Sequence, residues 1–131
     1  MSNGRGRLHE QMILAACRAY HDQGRANIIK VPEPFRVLQK NRAQNIASIR
    51  FTAHAQPDFI GCVAGGKMIA FEAKYTKTNR LHSTVITPTQ AEALQDFQKM
   101  GAFSAVCAGI GDQYFMIPWL DFVGMKTMFG R

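Results

Sequence analysis

Residues 57–74 of the chain read PDFIGCVAGGKMIAFEAK, and this segment holds two apolar runs separated by Ala64-Gly65-Gly66. Apolar runs of this length favour strands, and a short break that contains glycine favours a tight reversal of the chain. The segment therefore predicts a β-hairpin. A three-residue loop places Val63 opposite Lys67, and this pair fixes the register of the whole hairpin.

Three charged side chains are expected at the open end of this hairpin. Counting back along both strands places Asp58 opposite Glu72, and directly opposed residues share a face of the sheet. Because side chains alternate along a strand, Lys74 lies on the same face roughly 7 Å from Glu72. Phe71 and Ala73 point to the other face. The sequence thus predicts two carboxylates and one ammonium group converging at one end of a sheet.

This constellation suggests a metal site. Two carboxylates this close repel each other, and a divalent cation between them is the usual solution. All the ligands on offer are oxygens, including the backbone carbonyl of Ala73, which favours Mg²⁺ or Mn²⁺ over zinc. Lys74 beside the metal is suited to positioning or deprotonating a water and to stabilising charge on a phosphate, as phosphodiester hydrolysis requires. The alternative is that Glu72 and Lys74 are solvent-facing residues of an amphipathic strand.

The composition constrains the partner. The 131 residues suffice for one domain with its own core, and 16 Lys and Arg against 9 Asp and Glu give a net charge of +7. This excess favours a polyanion, either nucleic acid or an anionic membrane. No apolar run reaches the ~20 residues that cross a bilayer, and no signal-peptide pattern opens the chain. Nucleic acid is therefore the favoured partner, and no membrane association is expected.

The cysteines indicate a compartment. Cys17, Cys62 and Cys107 are odd in number, scattered and embedded in apolar runs. This distribution predicts buried thiols in a reducing cytoplasm, not disulfides or a zinc site. The four histidines show no metal-ligand spacing either.

The N-terminal residues predict a basic arm followed by a helix. Residues 1–7 are rich in Gly and Arg and predict a mobile arm. Good helix formers over residues 8–23 predict a helix whose apolar stripe includes Ile13 and Cys17. Extending this stripe back by three or four residues reaches Glu10, so an acid begins the face that packs on the sheet. The helix dipole alone also favours a first-turn glutamate.

Residues 35–52 form a basic excursion with four cations and no acid. Such a segment is suited to neutralising phosphates, with an affinity that depends on salt. The alternative is a solvated basic loop anchored to the core by Val37, Leu38, Ile46 and Ile49. The candidate nucleic-acid-binding residues of the whole chain are Arg5, Arg7, Lys30, Arg36, Lys40, Arg42, Arg50, Lys77 and Arg80.

The second half of the chain predicts two helices and two strands, and the second of these helices is a short terminal one over residues 118–122. Residues 87–90, Thr-Pro-Thr-Gln, form a capping box with proline at the tolerated first position, which predicts the start of a helix. The apolar run 102–110 predicts a strand covered on both faces, and residues 114–117 a returning strand. Large apolar residues near the chain end, including Trp119 and Phe122, predict either core packing or a dimer interface.

The two acidic segments resemble the signature of the PD-(D/E)xK nuclease superfamily, with Pro57-Asp58 before the hairpin turn and Glu72-Ala73-Lys74 after it. The order of a basic helix, a short strand, the Pro32-Glu33-Pro34 break, a basic excursion and Phe-Glu-Ala-Lys at 71–74 is similar to that of RecU-type Holliday-junction resolvases. There are two departures. Pro57-Asp58 is closer to the archaeal resolvases, and the chain is shorter than a typical RecU.

This resemblance implies a fold and a function. The fold is a restriction-endonuclease-like mixed α/β core, a β-sheet flanked by helices, in a single nuclease domain over residues 1–131. The function is that of a Mg²⁺-dependent endonuclease, with Mn²⁺ as a substitute, that resolves four-way DNA junctions by paired symmetric nicks. Symmetric cleavage implies a homodimer, in the cytoplasm of a bacterial, archaeal or phage-infected cell.

The resemblance also implies roles for single residues. Asp58, Glu72 and Ala73 would bind the metal, and Lys74 would assist the attacking water. The first helix of this superfamily often presents an acid to the metal, which makes Glu10 the third carboxylate candidate. Gln90 either serves only the helix cap or also contacts the attacking water or a phosphate. The excursion 35–52 corresponds to a stalk that enters the junction centre, although its composition shows only a basic insertion.

Two other functions fit the same residues. One is a different nuclease of the superfamily, of the flap, nicking or repair type. The other is a non-catalytic DNA-binding module that keeps the fold. Cleavage of different DNA forms separates them, because a binding module cleaves none.

Overall fold

The structure is a computed structural model that describes residues 4–33, 35–51 and 56–129. Residues 1–3 of the predicted arm and residue 52 of the predicted excursion lie outside the described residues. The helices are α1 (Gly4–Asp22), α2 (Pro88–Lys99) and α3 (Trp119–Phe129), with a 3₁₀ turn at Ser83–Val85. The strands are β1 (Ala26–Lys30), β2 (Phe35–Asn41), β3 (Ile46–Phe51), β4 (Phe59–Val63), β5 (Lys67–Thr76), β6 (Phe103–Ile110) and β7 (Gln113–Pro118).

Five of the strands form a mixed sheet in the order β1-β4-β5-β6-β7. Strands β4 and β5 are antiparallel with Val63 opposite Lys67 and Phe59 opposite Phe71, which confirms the predicted register. Gly65 and Gly66 in the loop have φ of 98° and 94°, a region that favours glycine. Strand β6 runs parallel to β5 after the α2 crossover, and the other neighbouring pairs are antiparallel.

Helices cover both faces of this sheet, as the predicted fold class requires. On one face α1 packs Ile13 and Cys17 against Phe59 and Phe71. On the other face α2 and α3 cover Val106 and its neighbours with Leu94, Trp119 and Phe122. Because side chains alternate along β5, Phe71 points to the α1 face and the next residue, Glu72, points to the α2 face.

The helix α1 begins earlier than predicted. It starts at Gly4, so Arg5 and Arg7 belong to its first turns and not to a mobile arm. Its buried stripe is His9, Ile13 and Cys17, which means that His9, and not Glu10, begins the buried face. The physical reason is a tertiary contact, because the buried His9 ring hydrogen-bonds to a sheet carbonyl and anchors this end of the helix.

The prediction of buried thiols was wrong for Cys62. Cys17 is buried and Cys107 is half-buried, whereas Cys62 is exposed. Cys62 lies on β4 and points to the face away from α1. The helices on that face pack mainly on β5, β6 and β7, so they leave Cys62 uncovered. Burial raises the pKa of Cys17, and burial followed by the nearby Cys17 raises the pKa of Cys107 to about 11, as expected for inert thiols.

The basic excursion is a β-hairpin of its own. Strands β2 and β3 pair antiparallel in a separate two-stranded sheet, with Arg36 opposite Arg50. The apolar side chains predicted to anchor it are 41–59% exposed, so that part of the loop alternative was wrong. A two-stranded hairpin has no interior of its own, and only a second layer would bury these residues. No helix among the described residues is long and apolar enough to cross a bilayer.

Candidate active site

The site lies where β5 extends beyond β4. Pairing between the two strands ends at Phe59 and Phe71, while β5 continues to Thr76 along β6. Where β4 no longer pairs with β5, the Asp58 carboxylate accepts a hydrogen bond of 2.9 Å from the Ala73 backbone N–H. The Asp58 carbonyl accepts a further bond of 2.8 Å from the Val31 N–H. Hydrogen bonds with the Ala73 and Val31 backbone N–H groups therefore fix the position of Asp58.

Glu72 is completely buried, which rules out the solvent-facing alternative for this residue. Neither of its carboxylate oxygens has a well-formed hydrogen bond in the described part of the chain, although the Asp58 backbone and carboxyl group lie close to it. Burial, and then the hydrogen bonding and like charge of the adjacent Asp58 carboxyl, raise the pKa of Glu72 to about 9. The Lys74 ammonium and, to a lesser extent, the Asp58 backbone act in the opposite direction. Asp58, Glu72 and Lys74 thus interact as the hairpin register predicts.

The site fits a hard divalent cation. A buried carboxylate without a donor is costly unless a proton or a cation neutralises it. Asp58 and Glu72 offer closely spaced anionic oxygens, which suit Mg²⁺ or Mn²⁺ and do not suit metals that prefer sulfur. The Ala73 N–H already orients one of these carboxylates, as outer hydrogen bonds do in metal sites. Metal binding by Asp58, Glu72 and the Ala73 carbonyl remains a prediction.

Glu10 is not grouped with this pair as a set of metal ligands among the described residues. Its carboxylate forms an ion pair with Lys30 of β1. Among the described residues no group of three or more His, Cys, Asp or Glu side chains is placed to hold one metal ion. The structure therefore does not join Glu10 to Asp58 and Glu72, and its role at the metal stays a prediction. The pairing with Lys30 depends on how α1 packs on β1, which the sequence pattern does not reveal.

Gln90 forms the predicted capping box. The Thr87 hydroxyl accepts a bond of 3.2 Å from the Gln90 N–H, and the Gln90 side-chain oxygen accepts one of 3.0 Å from the Thr87 N–H. Helix α2 packs on the face of the sheet to which Glu72 points. The cap explains Gln90 fully, and a contact with water or phosphate stays a prediction.

All nine cations predicted to bind nucleic acid are exposed. Lys77 and Arg80 follow β5 in a loop held by hydroxyl groups, where Thr78 bonds to Thr76 Oγ1 at 2.9 Å and donates to the Arg80 carbonyl at 3.0 Å. Lys30 is exposed as well, although its ammonium is paired with Glu10. Their contacts with DNA remain predictions.

The comparisons with known proteins agree with this fold. The model of the family described as Recombination protein U, RecU, matches residues 4–128. A solved structure of the Holliday junction resolvase Hjc from Archaeoglobus fulgidus has the same fold with a TM-score of 0.55 and 16% sequence identity, over 89% of this chain and 75% of that chain. No curated protein sequence matches the chain. The family model covers nearly the whole chain, and we conclude that the chain belongs to the RecU family.

Proposed function

We propose that this protein is a metal-dependent, structure-selective endonuclease that resolves four-way DNA junctions by paired symmetric nicks. One observation carries the proposal: the buried Glu72 carboxylate, which has no well-formed hydrogen bond in the described part of the chain, lies against the Asp58 carboxyl at the end of the sheet of a RecU-family chain. Two acidic oxygen ligands beside an ammonium group are the side chains that phosphodiester hydrolysis needs. The net charge of +7 supports a polyanionic substrate.

In this proposal each residue of the site has a separate task. Asp58 and Glu72 hold Mg²⁺, with the Ala73 carbonyl as a further ligand and Glu10 as outer support. A cation bound there would supply water activation and charge neutralisation at the phosphate. Lys74, half-buried on the same face as Glu72, positions the water and stabilises the phosphate as negative charge develops. Gln90 orients the water or a phosphate from the start of α2.

The exposed cations hold the DNA. Lys77 and Arg80 leave the site with β5, which suits them to the phosphate next to the one that is cleaved. On the β2–β3 hairpin Arg36 and Arg50 lie directly opposite each other, and like charges in that position destabilise a strand pair. A phosphate bound between them removes this repulsion. The hairpin is therefore proposed as the element that enters the junction.

A symmetric substrate calls for two active sites, and a C₂ homodimer provides them. Strand β7 supports this part of the proposal, because it is an edge strand of the sheet. Its exposed side chains Tyr114, Phe115 and Met116 are apolar or aromatic and carry no charge, unlike the edges that monomeric proteins protect.

The cytoplasm is the expected compartment.

The test is cleavage of a synthetic four-way junction with the nicks mapped on all four strands. We expect paired nicks at symmetric positions with Mg²⁺ and none in EDTA. The Asp58→Asn variant keeps an oxygen for the Ala73 N–H but loses the charge, and we expect it to lose about 100-fold or more in kcat. Asp22→Asn, at an exposed aspartate, is the matched control and should cleave normally.

Other substrates distinguish the remaining functions. Preference for flap, nicked or linear duplex DNA over the junction would identify another nuclease of the superfamily. A protein that binds these DNA forms but cleaves none of them, with either Mg²⁺ or Mn²⁺, would be a binding module, and the proposal would be wrong.

A further inference from the structure

His9 sits in a polar and aromatic cluster on the face of the sheet opposite to Glu72. The ring is 2% exposed, and its Nε2 lies 3.1 Å from the Cys107 carbonyl oxygen. A carbonyl oxygen only accepts, so Nε2 carries the proton. The ring stacks on Tyr114 with centroids 5.4 Å apart and lies 6.0 Å from the Tyr75 ring. Helix α1 is thereby tied to three strands, β5, β6 and β7.

Gly109 makes room for this cluster. A Cβ atom at this position would lie 2.7 Å from Tyr75 Cδ2 and 3.0 Å from His9 Nδ1, which is too close for both rings to stay in place. The Tyr75 hydroxyl in turn donates to the Gly111 carbonyl at 3.2 Å. The end of β5 is thus fixed to the turn between β6 and β7 as well as to α1.

This fixation matters because β5 is paired on only one edge there. Beyond Phe71 the strand β4 has ended, and on that side the Asp58 carboxylate accepts a bond from the Ala73 N–H of β5. Tyr75 directly follows Lys74, and the two side chains point to opposite faces. A displacement of the Tyr75 ring therefore moves the backbone that carries Lys74.

We propose that His9 is a positioning residue for the nuclease, which acts through Tyr75 to hold the end of β5 and hence Lys74 in its working place. The proposal rests on the nuclease function proposed above. His9 itself touches neither Asp58 nor the substrate in this scheme. It supports the active strand from the far side of the sheet.

The experiment compares junction cleavage and backbone order in matched variants. His9→Leu removes both the ring and the hydrogen bond, and a misplaced Lys74 should lower kcat about 10- to 100-fold, with KM and the Kd for the junction within about twofold of the wild type. His9→Phe keeps the ring stacking and should recover most of kcat. His21→Leu alters an exposed histidine of the same helix and should change nothing.

The rate of backbone amide hydrogen exchange is a measurement that does not depend on cleavage. In His9→Leu we expect faster exchange of the amides at residues 72–76, with β4 unchanged. If His9→Leu does not fold, Gly109→Ala disturbs the same rings from β6 and should give the same pattern. A folded variant with normal kcat and normal exchange at 72–76 would overturn the inference. A wild type that cleaves no DNA would overturn the nuclease function instead, and the exchange pattern would still decide whether His9 holds this strand.

Discussion

At the scale of single residues, the Glu72 carboxyl group links pH to stability. Its pKa in the folded protein is raised to about 9 from the ordinary value of 4.5, first by burial and then by Asp58, against the influence of Lys74. The folded protein keeps this proton over a pH range in which the unfolded chain has released it. The stabilisation is therefore complete below about pH 4.5 and is lost as the pH rises toward 9.

We predict that the metal-free protein in EDTA loses stability as the pH rises from about 5 to about 9, by at most about 1.4 kcal/mol per pH unit from this group. Glu72→Gln has no proton to release and should lack this slope. Urea unfolding at several pH values measures the free energy of unfolding of both proteins. Glu92→Gln, at an exposed glutamate of α2, should follow the wild type.

Mg²⁺ should flatten the slope of the wild type, because it binds the ionised carboxylates of the folded state. If the free energy of unfolding changes with pH equally in Glu72→Gln and in the wild type, the Glu72 carboxyl has an ordinary pKa in the folded protein.

At the scale of elements, the two hairpins differ in what the sequence can predict. The β4–β5 register follows from a short glycine loop between two apolar runs, which is local information, as is the capping box at Thr87. The β2–β3 hairpin was not predicted as strands, because its apolar residues do not alternate regularly and a register shift lies between Val37 and Gln39. Contacts that join distant segments, such as Glu10 with Lys30, depend on packing and leave no pattern in the sequence.

For the β2–β3 hairpin we predict that replacing both Arg36 and Arg50 with Ala weakens junction binding and makes it less sensitive to salt. Each neutralised phosphate that is lost lowers the slope of log K against log salt by about 0.9, so loss of the phosphate shared by the two arginines should lower the slope by about that amount. The measurement is Kd for the junction at several salt concentrations. The hairpin itself should not lose stability, because the two arginines repel each other in the free protein.

Lys67→Ala is the matched control for this hairpin. Lys67 lies at the closed end of the β4–β5 hairpin, away from Asp58 and Glu72. Its removal lowers the net charge and should leave the salt slope nearly unchanged. An equal change of the salt slope in Lys67→Ala and in the double arginine variant would mean that general positive charge, and not the hairpin, determines binding.

At the scale of the whole molecule, the sheet ends in edge strands of different character. Strand β7 packs beside α3 and carries apolar side chains on both faces, whereas β1 is short and packs beside α1. The sequence indicated an apolar C-terminal part but left core packing and a dimer interface open. In the structure Trp119 and Phe122 are buried in the core, while Leu120 and Val123 are exposed. Burial of these residues is a tertiary property that composition alone cannot assign.

We predict that Phe115→Lys on β7 converts the protein to a monomer, because a lysine on an edge strand opposes pairing with a second copy. Sedimentation measures the mass, and the junction assay should show single nicks in place of paired ones. Ile29→Lys on β1, an exposed apolar residue of the opposite edge, should remain a dimer. A dimeric Phe115→Lys protein would place the interface elsewhere.

The loop Ala64-Gly65-Gly66 has a remote consequence. It lies at the far end of the hairpin from Asp58 and Glu72, yet its length, together with the apolar pattern of the strands, sets which residues of the two strands meet. If one additional residue there slipped the strands by one position, Asp58 would face a neighbour of Glu72, and the Glu72 side chain would turn to the other face of the sheet. Both acids would remain in the gene product, but they would no longer meet, so the number of residues in a solvent-exposed turn governs whether the distant acids can share one ion.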